Sequence, residues 1–129
     1  MIKITREQLL RGENSLGVLA NAKMPIGVAY RINKIIKEAA EELQETEKIR
    51  REIINKYGKK DENGELIVDK NSNMVEIEDK DRATFDKEIA LLFAEVCEFS
   101  GEPIDIELLE NISMSSQEIS AIEPFLKLE

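Results

Sequence analysis

The residues with the clearest chemical potential in this sequence are carboxylates that crowd one stretch of the chain. They are Glu76, Glu78, Asp79, Asp81, Asp86, Glu88, Glu95 and Glu98. The six carboxylates from Glu76 to Glu88 could hold a magnesium ion, which prefers hard oxygen donors. At the start of a helix, however, Asp79 and Asp81 are more simply explained as capping residues that interact with the helix dipole. The pattern therefore predicts an acidic face that binds a partner, and no metal site.

Other patterns that could support chemistry lack an essential member. The chain has no histidine, which removes the usual general base and the commonest zinc ligand. Gly12 and Gly17 have the separation of a phosphate-binding loop, but Val18 stands where that loop needs its lysine. The single cysteine, Cys97, has apolar neighbours at helical spacing, which predicts a buried and inert thiol. We expect neither an enzyme nor a cofactor.

Composition indicates the class of protein. Hydrophobic residues make up 42% of the 129 residues and charged residues 35%, which is typical of one soluble domain. No apolar run approaches the roughly 20 residues that span a bilayer, and no secretory signal is recognisable. One cysteine cannot form an internal disulfide, so we expect a reducing, cytosolic setting and no membrane partner.

The net charge of −9 is distributed unevenly. Residues 1–60 carry 13 Lys or Arg and 8 Asp or Glu, a net of +5, whereas residues 61–129 carry 5 and 19, a net of −14. The overall sign predicts no binding to duplex DNA at physiological salt. Two halves of opposite sign can attract oppositely charged partners, including copies of the same chain. The alternative is that the acids only keep the second half soluble.

The strongest structural signal is a long helix over residues 25–57. Pro25 suits the first helical position and Gly58 suits a left-handed C-cap. Between them, apolar residues recur at spacings of three and four, which builds one broad apolar face. Such a helix is about 50 Å long, longer than a compact domain of this size. We expect it to overhang, to kink or to pack against another chain.

Shorter elements are predicted on either side of this helix. Residues 1–24 predict a strand and a helix that opens with a capping box of Thr5 and Gln8. Residues 58–79 predict a β-hairpin, with a disordered excursion as the alternative. Residues 80–100 predict a helix. Residues 101–129 predict a strand and a short C-terminal helix that opens with a capping box of Ser115 and Glu118. Together they predict one α+β domain, mostly α, with an antiparallel pair of long helices, a small β-hairpin and short terminal strands.

The distal half of the long helix predicts an interface between copies of the chain. Its residues are Thr46, Ile49, Arg50, Ile53, Ile54 and Tyr57. The third helix, at about 30 Å, is expected to fall short of this stretch. Contiguous exposed apolar residues usually mark an interface, so a homo-oligomer, most simply a dimer, is expected. The competing prediction is a monomer in which the hairpin at residues 65–77 folds back over the stripe.

Four short segments of the sequence carry a resemblance to a known group of proteins. They are MPIGVAY at residues 24–30, NKYG at 55–58, DENG at 61–64 and ISAIEPFL at 119–126. Together they resemble a loose group of small proteins encoded by tailed bacteriophages and prophages, mostly of unknown function. The resemblance implies a viral origin and expression in the cytoplasm of a bacterial host. It supplies no functional residues.

These observations leave three functions open. The first is a non-enzymatic phage accessory or assembly factor that binds a phage or bacterial host protein. The second is an acidic decoy whose carboxylates imitate phosphate spacing and block a host nucleic-acid-binding protein, such as a defence nuclease. The third is an oligomeric binder of a small ligand or nucleotide that uses the basic half of the sequence.

Overall fold

The computed structural model describes residues 1–128 and places most of them in helices. The elements are β1 (Ile2–Thr5), α1 (Arg6–Asn21), α2 (Ile26–Tyr57), α3 (Asp79–Ala94), β2 (Val96–Phe99), β3 (Ile104–Asp105), a 3₁₀ helix (Ile106–Leu109), α4 (Ser116–Ile122), a second 3₁₀ helix (Glu123–Phe125) and β4 (Leu126–Lys127). The predicted class, α+β and mostly α, is confirmed. No helix of the described residues is both long and apolar enough to cross a membrane.

The chain forms two compact units. The first unit contains residues 1–44 and the segment from residue 95 onward, and the second unit contains residues 45–94. The sequence pattern has no signal for this division, because the 32-residue helix α2 runs through it without a break.

The core of the first unit is built on the pairing of β1 with β2. These strands are antiparallel, with Ile2 opposite Phe99 and Ile4 opposite Cys97, and all four side chains are buried. Ile32, Ile35 and Ala39 of α2 belong to the same hydrophobic cluster, together with residues of α1 and α4. Burying these apolar surfaces is the main driving force for this unit.

Both predicted capping boxes are confirmed. The Thr5 hydroxyl accepts a hydrogen bond from the Gln8 N–H, and the Gln8 side chain accepts one from the Thr5 N–H. Ser115 and Glu118 repeat this arrangement at the start of α4. Local hydrogen bonds of this kind satisfy backbone donors that the first turn of a helix leaves free.

The predicted helix over residues 80–100 is wrong in its last turn. Helix α3 ends at Ala94, and Val96–Phe99 is a strand whose residues are alternately exposed and buried. The residues from Phe85 to Phe99 fit a helical period. Residues 96–99 nevertheless form a strand, because their backbone hydrogen-bonds with that of β1. The predicted strand after Pro103 is also shorter than expected, because residues 106–109 form a 3₁₀ helix.

Residues 58–77 form three paired segments rather than a two-stranded hairpin. The predicted pairing is present, since Val68 lies opposite Val75 in an antiparallel bridge. A third segment joins it, because the Lys59 N–H donates to the Glu76 carbonyl and the Lys59 carbonyl accepts from the Ile67 N–H. The Glu76 N–H donates in turn to the Ile67 carbonyl, which closes a ring of hydrogen bonds.

Gly58 has a different role from the predicted left-handed cap. Of the described glycines only Gly64 has a positive φ, 80°. A Cβ atom built on Gly58 would lie 2.6 Å from a methyl group of Leu66 and 2.8 Å from one of Val75. Glycine is therefore required at position 58 by the close approach of the folded-back segments to the end of α2.

Candidate protein-binding surfaces

A groove lies in the second unit. Its volume is about 940 Å³. Arg82, Phe85, Asp86, Ile89 and Phe93 form its wall on α3, at spacings that place them on one face of that helix. These eleven residue steps correspond to about 16 Å of helix. The last turns of α2 and the three paired segments provide the remaining walls.

The apolar side chains around this groove are incompletely buried. Within the second unit, all of which lies in the described part of the chain, Leu92 is the only hydrophobic residue that is fully buried. Tyr57 and Phe85 make an edge-to-face contact at 6.3 Å, yet both are half-buried. A unit of 50 residues with so little closed core buries little apolar surface by itself.

The rim of the groove carries charges of both signs. The positive residues are Arg50, Lys59 and Arg82, and the negative residues are Asp69, Glu76 and Asp86. Part of this charge is paired locally, since Arg82 lies 3.4 Å from Asp86. The rim is therefore balanced and does not select a strongly charged ligand.

The carboxylate of Glu47 holds Arg50 in place beside the groove. Arg50 donates two hydrogen bonds to Glu47, at 2.9 and 2.8 Å, and Arg51 donates a third at 3.1 Å. These bonds, the one from Arg50 first, lower the pKa of Glu47 to about 2. The hydrogen bond to Glu47 likewise raises the pKa of Arg50.

The residues predicted to form an oligomer interface occupy several environments. Thr46 is buried, whereas Ile49, Ile53 and Tyr57 are half-buried. Arg50 and Ile54 are half-buried and line the groove. The paired segments approach the end of α2 as the competing prediction expected, but they leave this stripe partly accessible.

The predicted acidic face is divided between the two units. Six of its residues, Glu76, Glu78, Asp79, Asp81, Asp86 and Glu88, lie in the second unit, and Glu95 and Glu98 lie in the first. The predicted helix over residues 80–100 would have carried Glu95 and Glu98, but α3 ends at Ala94 and Glu98 lies on β2.

Most of these carboxylates also have a basic neighbour. The ion pairs are Lys80–Glu78 at 3.6 Å, Arg82–Asp86 at 3.4 Å, Lys56–Glu88 at 3.3 Å, Arg6–Glu95 at 2.9 Å and Lys3–Glu98 at 3.6 Å. Within residues 1–128, no group of three or more acidic or cysteine side chains is arranged to hold a metal ion.

The prediction that Cys97 is buried is confirmed, although its surroundings differ from those expected. It lies on β2 rather than in a helix, and its thiol donates to a Glu42 carboxylate oxygen at 3.5 Å. Burial raises the pKa of this thiol to about 11, against the smaller opposite effect of Arg6. At neutral pH the thiol is therefore protonated and a poor nucleophile.

Sequence reasoning did not identify the second candidate surface, which lies on the first turns of α2. Ile26 is 89% exposed and Tyr30 is 73% exposed, one helical turn apart. Arg31, Lys34 and Lys37 are exposed beside them. We call these five residues the basic face. One signal was available, because residues 14–37 contain four Lys or Arg and no acidic residue.

Comparison with models of protein families, with curated proteins and with solved structures finds no significant match to this chain.

Proposed function

We propose that this protein is non-enzymatic and acts by binding another protein, whose acidic surface contacts the basic face of α2. The exposure of Ile26 and Tyr30, at 89% and 73%, carries this proposal. Burying an exposed tyrosine and an exposed large aliphatic side chain against a partner gives a large favourable contribution to the free energy of binding. Tyrosine is also among the residue types that contribute most to binding energy in protein interfaces.

The charge around this pair supports an acidic partner. Arg31, Lys34 and Lys37 are exposed, and Lys34 and Lys37 lie one and two turns beyond Tyr30 on the helix. Across an interface, rim charges of this kind increase the association rate and select the sign of the partner. A local basic surface on a chain of net charge −9 would therefore orient the encounter.

The shape of the surface favours a protein over a small ligand. Small-molecule sites are concave and enclose most of the ligand. The basic face is instead the outward face of a helix, on which Ile26 and Tyr30 are mostly exposed to solvent. A partner protein can cover such a surface, whereas a nucleotide would be held on one side only.

The pairing of the acidic residues favours this function over a nucleic-acid decoy. A decoy needs bare carboxylates that reproduce the charge of phosphates. Five of the eight predicted residues have a basic side chain within 3.6 Å. Their local charge is correspondingly reduced.

The cellular setting that we propose is the cytoplasm of a bacterial host, where the chain serves a tailed phage as an accessory or assembly factor. This setting rests on the resemblance of residues 24–30, 55–58, 61–64 and 119–126 to phage-encoded proteins. The partner is then a phage protein or a protein of the host.

Photo-crosslinking in infected cells tests the proposal. Benzoylphenylalanine replaces Tyr30 in one variant and Leu10, 49% exposed on α1, in a control. We expect the variant at position 30 to capture one heterologous protein that the variant at position 10 does not. Equal capture at both positions, or capture of nucleic acid, would contradict the proposed function.

Affinity measurements with the captured partner then test the chemistry of the surface. Tyr30→Ala and Lys37→Glu should each weaken binding about tenfold or more, corresponding to about 1.4 kcal/mol. The matched controls are Leu10→Ala and Lys127→Glu, which alter exposed residues elsewhere in the first unit. Added salt should weaken wild type more than Lys37→Glu. Unchanged affinity in both test variants would exclude the basic face.

A further inference from the structure

The groove of the second unit is lined by apolar side chains that are only partly buried, as is typical of a surface that contacts another protein. Phe85, Ile89 and Phe93 lie along one face of α3, and Ile54 of α2 lines the same groove. All four side chains are half-buried rather than buried. Permanent homodimer interfaces resemble a protein core cut in two, with large apolar residues on both halves. This wall has that composition.

The charged residues that line the groove indicate which partner binds there. Three positive residues, Arg50, Lys59 and Arg82, and three negative residues, Asp69, Glu76 and Asp86, line the groove, and Arg82 lies 3.4 Å from Asp86 of the same copy. A partner with a single dominant charge would meet three like charges. A surface with equal numbers of both signs can complement itself, which is what a two-fold symmetric contact requires, because each residue then meets a residue of the same patch.

We propose that the groove is the contact surface of a homodimer, in which a second copy of the chain covers Ile54, Phe85, Ile89 and Phe93. The two α3 helices then bury each other's apolar faces, and positive lining residues of one copy meet negative lining residues of the other. The contact uses no residue of the basic face, so dimerisation and partner binding can fail independently of each other.

Sedimentation equilibrium of the full chain tests the dimer. Wild type should sediment at twice the chain mass of 14.7 kDa at micromolar concentration. Ile89→Asp should give the monomer mass, because a carboxylate in the buried contact is strongly unfavourable. Leu91→Asp is the matched control on the same helix, since Leu91 is 63% exposed and does not line the groove. It should remain dimeric.

Charge-reversal variants test the contact without changing its apolar wall. One variant carries Arg50→Glu and Arg82→Glu, and the other carries Asp69→Lys and Asp86→Lys. Each alone should be a monomer because its own rim repels a second copy, and an equimolar mixture should form a heterodimer. This rescue also shows that both variants fold. The control Lys48→Glu with Lys87→Glu alters exposed residues outside the groove and should stay dimeric.

Three results would overturn the proposal. The first is a wild-type mass of 14.7 kDa that persists to high micromolar concentration. The second is a dimer that Leu91→Asp dissociates and Ile89→Asp does not. The third is a mixture of the two charge-reversal variants that stays monomeric although circular dichroism shows both to be folded.

Discussion

The guanidinium of Arg6 lies against the carboxylate of Glu95, with Nη2 and Oε1 2.9 Å apart across 89 residues of sequence. The same side chain donates through Nη1 to Oε2 of Glu42 at 3.2 Å and to the Glu42 carbonyl at 3.1 Å. Arg6 is only 6% exposed. Burial acts to lower the pKa of Arg6, but the hydrogen bond to Glu95 and the neighbouring carboxylate of Glu42 outweigh it, so the pKa is raised and the guanidinium stays charged.

This contact joins the start of α1, α2 and the residue before β2 within the first unit, so Arg6→Leu should destabilise the protein. We expect a loss of about 2–3 kcal/mol in the free energy of unfolding, which is less than for a fully buried ion pair because Glu42 and Glu95 retain access to water. Glu95→Gln should lose about 1 kcal/mol, since Glu42 remains. Urea unfolding measures both. Equal losses in the two variants would show that the charge of Arg6 is not held by Glu42.

Two glycines of α1 should respond to alanine in opposite directions. A Cβ on Gly12 would lie 3.0 Å from the Ala121 carbonyl oxygen, so Gly12→Ala must push α1 away from α4. A Cβ on Gly17 meets nothing within 4 Å, so Gly17→Ala should stabilise the helix by about 0.5–1 kcal/mol. Thermal unfolding should show a lower midpoint for Gly12→Ala and a higher one for Gly17→Ala. A higher midpoint for both would mean that α1 and α4 can separate at little cost.

Glu47 should make the stability of the protein depend on pH in the acid range. Hydrogen bonds from Arg50 first, and then from Arg51, lower its pKa from 4.5 to about 2 in the folded state. A lowered pKa means that this stabilisation is complete above about pH 4.5 and is lost as the pH falls towards 2. The difference in unfolding free energy between wild type and Glu47→Gln should therefore shrink over that range. Because the carboxylate is 43% exposed, the effect should be small and should weaken with salt. A difference that stays constant from pH 5 to pH 2 would contradict this assignment.

Cys97 should react slowly in the native protein. Burial raises its pKa from 9.0 to about 11, which leaves about one hundredth of the usual thiolate at neutral pH, and the residue is 4% exposed. With a disulfide reagent at pH 7.5, we expect the native thiol to react at least about 100-fold more slowly than the thiol in guanidinium chloride. Comparable rates in the two states would show that β2 opens readily.

Local features of the sequence were sufficient to predict several elements. The spacings of three and four along α2 and the capping boxes at Thr5 and Ser115 act between residues that are close in sequence. Each can be recognised in a short window of sequence, although the apolar face of α2 is stabilised only when the rest of the fold covers it. The pairing of Val68 with Val75 belongs to this group as well, because turn residues lie between the two segments.

Only the tertiary structure determined that residues 96–99 form a strand rather than a helix. Val96 and Cys97 fit a helical repeat that extends from Phe85, and nothing in that local pattern excludes a helix. The backbone of β1, more than 90 residues earlier, has donors and acceptors that need a partner, and strand pairing satisfies both segments at once. A hydrogen-bonding requirement so distant in sequence leaves no trace in a local window.

For the candidate surfaces, too, the sequence shows the charge pattern, whereas the tertiary structure determines which residues are exposed. Clustering of Lys and Arg without acids over residues 14–37 was visible in the sequence, as was the acidic bias of the second half. Which side chains remain in water was decided by packing, because Ile26 and Ile32 are of the same type on the same helix, and one is 89% exposed and the other 3%. Periodicity alone therefore determined that α2 has an apolar face, whereas packing in the hydrophobic cluster of the first unit determined which of its apolar residues there are covered.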